Sequence, residues 1–168
     1  MSNGGSLSNI KYFLDTWYNN NLQAYDSMIT STPGFCNDRV YVNGSTLSDF
    51  NFNAFTRLVT NKNPSLKCEY SEDLYIIKIG LITADEMSFA GGLSGTGNSN
   101  YYLYGPNYWT MSPYSYFNGG WADMFLANGG AISNGTVDEE RGVRPVINLS
   151  ADTTIKSGNG TISSVYEI

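Results

Sequence analysis

Residues 100–149 read NYYLYGPNYWTMSPYSYFNGGWADMFLANGGAISNGTVDEERGVRPVINL. Tyr and Trp offer large contact areas at low side-chain entropy cost, and Gly, Ser and Asn offer adaptable hydrogen bonds, so this composition favours binding over catalysis. Short apolar runs between Gly and Asn turns also predict β-strands, here at residues 107–111, 124–127, 131–133 and 143–149.

A helix is predicted near the start of the chain. Residues 8–22 carry apolar side chains at helical spacing, and Ser8 is a suitable N-cap. Such a stripe usually packs into a core rather than around a ligand. We therefore expect its members to be buried: Ile10, Phe13, Leu14, Trp17 and Tyr18.

A second predicted helix begins at a capping box. Residues 74–81 form a predicted strand, after which Thr83 and Glu86 can each accept a hydrogen bond from the other's main-chain N–H. The helix then covers residues 84–90 and ends at a glycine pair. Further short strands are predicted at residues 39–42 and 66–70, and a hairpin or closing strand at residues 153–168.

The order of these elements predicts the fold class. Helices lie early and short strands dominate later, which indicates an α+β fold built on a small, twisted antiparallel sheet. With 168 residues, 41% of them apolar, the chain can bury one core. We therefore expect a single domain over residues 1–168, with residues 1–7 as a flexible N-terminus. No apolar run reaches the ~20 residues that a membrane span requires, so we expect no membrane insertion.

The ionisable residues exclude several classes of function. The net charge is −6 and the nine Lys and Arg residues are dispersed, so a nucleic-acid partner is excluded. Histidine is absent, which removes the commonest general base and metal ligand. An enzymatic alternative is a hydrolase that uses a carboxylate pair drawn from Asp123, Asp138, Glu139 and Glu140.

The two cysteines, Cys36 and Cys68, favour a disulfide. They lack Cys-x-x-Cys spacing, and no histidine is present to complete a zinc site. Closing this loop would stabilise the fold by roughly 3–4 kcal/mol in the chain-entropy model. The alternative is a pair of buried thiols that behave as small apolar side chains.

Four motifs occur in an order that is typical of one group of proteins. They are GLITADEM at residues 80–87, YWTMSP at 108–113, GVRPVINL at 142–149 and GNGT at 158–161. With them, the chain resembles the C-type lectin-like domains of surface proteins from gut Firmicutes. This branch also contains the formylglycine-generating enzymes and the variable proteins of diversity-generating retroelements. The resemblance implies two helices that flank a small twisted sheet, long irregular loops, and an extracellular or cell-surface location.

The resemblance also implies where a ligand binds. In the retroelement relatives, the diversified positions lie between a Trp-bearing strand and a final Gly-x-Arg-Pro-like strand, which corresponds here to residues 114–134. The implied function is non-enzymatic recognition of a protein or glycan, and the alternative is a structural module of a surface assembly such as a pilus tip. The implied ligand-binding residues are Tyr114, Tyr116, Asn118, Trp121, Asp123, Phe125, Asn128 and Asn134.

The chain departs from its relatives in two respects. It has no cysteine after Cys68, so the oxidase activity of formylglycine-generating enzymes is not expected. It also lacks the Glu-Pro-Asn, Gln-Pro-Asp and Trp-Asn-Asp tripeptides of calcium-dependent sugar-binding lectins. We therefore expect no cofactor, although the residues leave room for a structural calcium ion held by Asp and main-chain oxygens.

Three single residues carry further expectations. Arg144 is expected to pair with a buried or partly buried carboxylate and so to fix the last strand. Trp109 belongs to an apolar alternation and is expected in the core. Trp121 follows a Gly-Gly pair, and the sequence leaves open whether its ring is buried or exposed.

Overall fold

The computed structural model describes residues 8–42, 49–100, 103–117, 119–161 and 163–168. Both predicted helix starts are confirmed: Ser8 accepts a hydrogen bond from the Lys11 N–H, and Thr83 and Glu86 form the capping box. The expectation for residues 1–7 lies outside the described residues. The helices are α1 (Asn9–Asn21), α2 (Asn53–Phe55, continued by a π-helical segment, Thr56–Thr60) and α3 (Ala84–Phe89), with 3₁₀ turns at Gln23–Met28 and Ser71–Asp73.

The strands in the described part of the chain form three sheets. A five-stranded sheet has the order β3-β7-β8-β9-β6 and is antiparallel except between β6 and β9. A three-stranded sheet has the order β1-β10-β5, and β2 pairs with β4. The strands are β1 (Ile29–Thr30), β2 (Phe35–Cys36), β3 (Phe50–Asn51), β4 (Leu74–Tyr75), β5 (Ile79–Leu81), β6 (Leu93–Ser94), β7 (Tyr108–Phe117), β8 (Trp121–Asn128), β9 (Ala131–Thr136) and β10 (Pro145–Leu149).

Apolar side chains cover both faces of the five-stranded sheet. Phe125 of β8 packs in one cluster with Met87 of α3 and Leu58. The next residue, Leu126, points to the opposite face, because side chains alternate along a strand. There it packs with Trp109 and with side chains of α1 and β5. The structure is thus an α+β fold in which one sheet is shared by two cores, and the expectation that Trp109 is buried is confirmed.

Several predicted elements differ in the structure. The predicted strand at residues 74–81 is two separate strands, β4 and β5. Residues 66–70 form no strand, and the region 39–42 contributes only an isolated bridge at Tyr41. The C-terminal segment, predicted as a hairpin or closing strand, has two isolated antiparallel bridges, between Ser157 and Glu167 and between Thr161 and Ser164. Phe13, expected in the core, is half exposed at 49%.

The predicted disulfide is confirmed. Cys36 of β2 is bonded to Cys68, with the two Cα atoms 5.5 Å apart and a sequence separation of 32 residues. The bond joins a strand to an irregular loop. It therefore ties residues 65–68, which have no strand of their own, to the body of the molecule.

An irregularity in β7 sets the direction of the side chains near its end. β7 takes six residues to advance from Trp109 to Ser115, while β8 advances from Leu126 to Asp123 in three. Extra residues on one strand of a pair form a β-bulge, which places neighbouring side chains opposite a single partner and increases the local twist. Tyr114 and Ser115 both lie opposite Asp123 as a result. Beyond the bulge the pairing is regular again.

A buried phenol on α1 makes stability pH-dependent. The Tyr18 hydroxyl donates a hydrogen bond to Asp26 Oδ1 at 2.6 Å, and Lys78 pairs with Asp26 Oδ2. Burial, with the hydrogen bond and charge of Asp26, raises the pKa of Tyr18 to about 12 from 10.0. The phenol therefore ionises first in the unfolded chain. Its contribution to stability is complete below pH 10 and is lost as the pH rises through 12.

We expect Tyr18→Phe to remove this part of the alkaline loss of stability. The measurement is the free energy of unfolding in urea at a series of pH values between neutrality and about 12. Tyr12→Phe, which alters an exposed ring on the same helix, is the control and should retain the wild-type slope. An unchanged slope in Tyr18→Phe would show that this phenol does not couple to unfolding.

Candidate binding surface

The β7–β8 hairpin ends in two exposed aromatic rings. Phe117, the last residue of β7, lies directly opposite Trp121, the first residue of β8. Their exposed fractions are 45% and 55%. Gly119 and Gly120 between them have positive φ, a conformation that residues with a Cβ rarely adopt. Trp121 is therefore exposed, which answers the question that the sequence left open.

The opposite side of the hairpin end carries a row of apolar side chains. Tyr116 lies across from Ala122 on β8 and from Phe50 on β3. The rings of Tyr116 and Phe50 are stacked with centroids 5.4 Å apart, and the half-exposed ring of Tyr41 lies 5.1 Å from Phe50. Val137, which is 55% exposed, donates its N–H to the Ala122 carbonyl. The row thus crosses the sheet from Tyr41 to Val137.

We call these six residues the hairpin-end surface: Phe117 and Trp121 on one side, and Tyr41, Phe50, Tyr116 and Val137 on the other. Cross-strand neighbours lie about 5 Å apart, so each row is a continuous apolar strip. The strands beneath are held by both cores. The surface is therefore anchored to the body of the fold through the buried parts of β7 and β8.

Asp123 and Asn134 form a polar pair behind the exposed rings. Asn134 Nδ2 donates to Asp123 Oδ2 at 2.7 Å, and Asp123 is buried while Asn134 is exposed. The pair lies on the same side of the sheet as Trp121, because alternate residues of β8 share a face. Asn134 can contact a ligand from this position, whereas Asp123 mainly orients it. Both predicted residues are thus close to the surface.

Phe125 does not belong to the exposed surface, and its placement there is corrected, whereas Tyr114 is partly buried. Phe125 is 1% exposed, and the ring of Tyr114 packs edge-on against it with centroids 4.9 Å apart. The other edge contact of Tyr114 is with Phe55. Burial, together with the nearby Asp123 carboxylate, raises the pKa of Tyr114. Phe125 belongs to the core because alternation along β8 points it inward. The bulge turns the ring of Tyr114 against the same cluster, where it stays partly buried.

Asn128 also lies away from the surface. It is exposed at the far end of β8 from Trp121, and seven steps along a strand span roughly 24 Å. Asn128 and the rings at the hairpin end therefore do not form one compact cluster. Asn118 lies outside the described residues. Of the eight predicted binding residues, Trp121, Asp123 and Asn134 lie on one side of the hairpin and Tyr116 lies on the other.

Four residues of the surface were missed by sequence reasoning. Phe117 and Val137 flank turns, and an apolar residue beside a Gly-rich turn is a usable signal of exposure. Tyr41 and Phe50 carry no local signal, since they reach the surface only through the pairing of β3 with β7. They are far from Tyr116 in the sequence, so no local pattern indicates that they lie beside it.

The charged residues near the C-terminal strand have structural partners. The Arg144 guanidinium lies over the Tyr108 ring, 4.2 Å from its centroid, and donates to the Leu103 carbonyl at 3.2 Å. This cation–π contact takes the place of the expected carboxylate partner. Glu139, one of the residues of the hydrolase alternative, pairs with Arg141 at 2.5 Å.

The described residues carry no recognisable metal centre, and comparison found no relative. No group of three His, Cys, Asp or Glu side chains in the described ranges could hold a metal ion. None of the described helices is long and apolar enough to cross a membrane. A scan against protein-family models, a search of curated proteins and a search of solved structures each returned no match.

Proposed function

We propose that this chain is a non-enzymatic recognition domain that contacts a protein or glycan through the hairpin-end surface. The observation that carries the proposal is the pair Phe117 and Trp121, two large rings exposed side by side on well-anchored strands. Buried Trp and Tyr anchors dominate binding energy at protein interfaces. Contiguous exposed apolar area of this kind marks interaction sites on soluble proteins.

We further propose a C-type lectin-like fold and an extracellular or cell-surface setting. The four ordered motifs support the fold. The Cys36–Cys68 disulfide supports an oxidising compartment, since such bonds are rare in the reducing cytosol. A role as the variable protein of a diversity-generating retroelement agrees with the exposed position of Trp121 at the start of β8, directly after a Gly-Gly turn.

Alanine substitution at the hairpin end tests the function. With a ligand identified on glycan and protein arrays, we expect Trp121→Ala and Phe117→Ala each to weaken binding about tenfold or more, which corresponds to about 1.4 kcal/mol. The reason is the loss of buried ring area at the contact. The melting temperature should change little because neither ring belongs to a core cluster. The measurement is calorimetric titration beside thermal unfolding.

Tyr12→Ala supplies the matched control. Tyr12 is another strongly exposed ring, but it lies on α1, away from the hairpin. If wild type, Trp121→Ala and Phe117→Ala bound the ligand with equal affinity, the hairpin end would not be the ligand-binding surface. Association of the unliganded protein that increases with concentration and disappears in Trp121→Ala would instead assign the surface to assembly of copies.

A further inference from the structure

A recess lies apart from the hairpin-end surface. It has a volume of about 350 Å³ and is lined by residues of the β1–β2 region, the loop 65–68, the start of α3 and Ser112 of β7. None of the six hairpin-end residues lines it. Ligand sites usually span about 300–1,000 Å³, so the recess suits a small molecule or a single side chain.

A buried charge triad forms one wall of this recess. Arg57 Nη2 lies between two carboxylates, Asp38 and Asp85, and pairs with both. Arg57 Nε donates to Asp85 Oδ1 at 3.0 Å, and the Ser65 N–H donates to the same oxygen at 2.8 Å. Both oxygens of Asp85 are therefore satisfied.

Asp38 is only half satisfied. Its Oδ2 accepts from Arg57, while its Oδ1 is buried and has no hydrogen-bond partner among the described residues. The residue is 5% exposed and sits at a positive φ of 46°. A buried carboxylate oxygen without a donor costs free energy. Asp38 lines the recess, so a donor held there would recover this cost once the carboxylate turns Oδ1 toward it.

The charge balance favours a cationic donor over a neutral one. Asp38 and Asp85 carry two negative charges against the single positive charge of Arg57. Glu86 and Lys67, which also line the recess, offset each other. Desolvation raises the pKa of Asp38, and the nearby charges of Asp85 and Glu69 act in the same direction against the effect of Arg57. The site therefore has an excess of negative charge in a poorly hydrated place.

Other ligand classes fit less well. Arg57 already occupies three of the four carboxylate oxygens of the triad, which leaves a single free oxygen where a calcium ion needs six to eight oxygen ligands. An anion would meet the unpaired carboxylate oxygen. The apolar part of the remaining lining would surround the carbon chain of a ligand, while Thr83, Ser112 and Asn148 add polar groups. The apolar part consists of Pro33, Phe35, Leu66, Leu74, Val146 and the disulfide.

We propose that this recess binds a primary ammonium group attached to a short apolar chain, with Asp38 Oδ1 as its acceptor. A free alkylamine and a lysine side chain of a peptide share this chemistry. The site is independent of the hairpin-end surface. Its failure would therefore leave the proposed recognition function untouched.

Titration of ¹⁵N-labelled protein with butylammonium at neutral pH tests the proposal. We expect saturable shifts of amides at residues 34–38 and 65–68, and none with butanol or butyrate, which match the chain but lack the ammonium group. Nα-acetyl-lysine amide is titrated in parallel. Binding of either amine supports the site, and tighter binding of the lysine derivative assigns the source to a peptide side chain.

Two variants make the test specific. Asp38→Asn keeps the shape and should weaken binding about tenfold, because a charge-assisted hydrogen bond becomes a neutral one. Asp138→Asn, an exposed acid outside the recess, should bind like wild type. If Asp38→Asn does not fold, Leu66→Trp, which fills the rim from an exposed position, should block binding without touching the triad. Absence of saturable shifts, equal shifts with butanol, or full affinity in the folded variants would overturn the proposal.

Discussion

Arg57→Met is expected to lower the free energy of unfolding by about 3–5 kcal/mol, the cost of breaking a buried ion pair from one side. The substitution leaves Asp38 and Asp85 buried without their shared cation. Methionine matches the length of the arginine stem, so the lost charge rather than a cavity dominates the effect. Urea unfolding at neutral pH measures it.

Lys11→Met is the control for this prediction. Lys11 pairs with Asp15 one turn along α1, a partly exposed i,i+4 contact worth only about 0.3–0.5 kcal/mol. Adding Asp38→Asn and Asp85→Asn to Arg57→Met should recover part of the loss, since the buried charges are then gone. A loss below about 1 kcal/mol in Arg57→Met would mean that water reaches both carboxylates and screens them.

Phe125→Ala is expected to cost about 3–5 kcal/mol, as large-to-small substitutions of buried aromatic residues do. The ring is 1% exposed and touches Tyr114 edge-on, so its removal leaves a cavity and strips Tyr114 of a partner. Trp121→Ala, four residues earlier on the same strand and the same side of the sheet, should change stability by less than about 0.5 kcal/mol.

The pair of variants separates packing from recognition along one strand. Thermal unfolding and ligand titration on both proteins give the comparison. If Phe125→Ala kept its stability and lost ligand binding, the assignment of Phe125 to the core would be wrong. A large fall in the melting temperature of Trp121→Ala with unchanged ligand binding would show that the Trp121 ring packs in the hairpin and does not bind the ligand.

Local signals predicted the parts of the fold that depend on neighbours in sequence. Ser8 and the box at Thr83 and Glu86 mark helix starts because capping is a contact over three residues. The strands β7 to β9 followed from Gly and Asn turns, which restrict the backbone whatever packs against it. The disulfide followed from simple counting of cysteines.

The remaining features could not be predicted because they depend on contacts between residues that are distant in the sequence. The bulge in β7 changes which side chains face inward, and the alternation of the sequence does not indicate it, so the packing of Tyr114 against Phe125 was not predicted. Tyr41 and Phe50 belong to the hairpin-end surface only because β3 pairs with the end of β7. The triad around Arg57 draws on three distant segments, and each of its residues looks like an ordinary surface charge in the sequence.

The disulfide also forms part of the wall of the recess beside Asp38, since Cys36 and Cys68 both line it. If reduction of this bond changes the affinity of the recess for an amine, binding of the amine must change the reduction equilibrium by the same factor. Measuring amine binding to the oxidised and the reduced protein would give that factor.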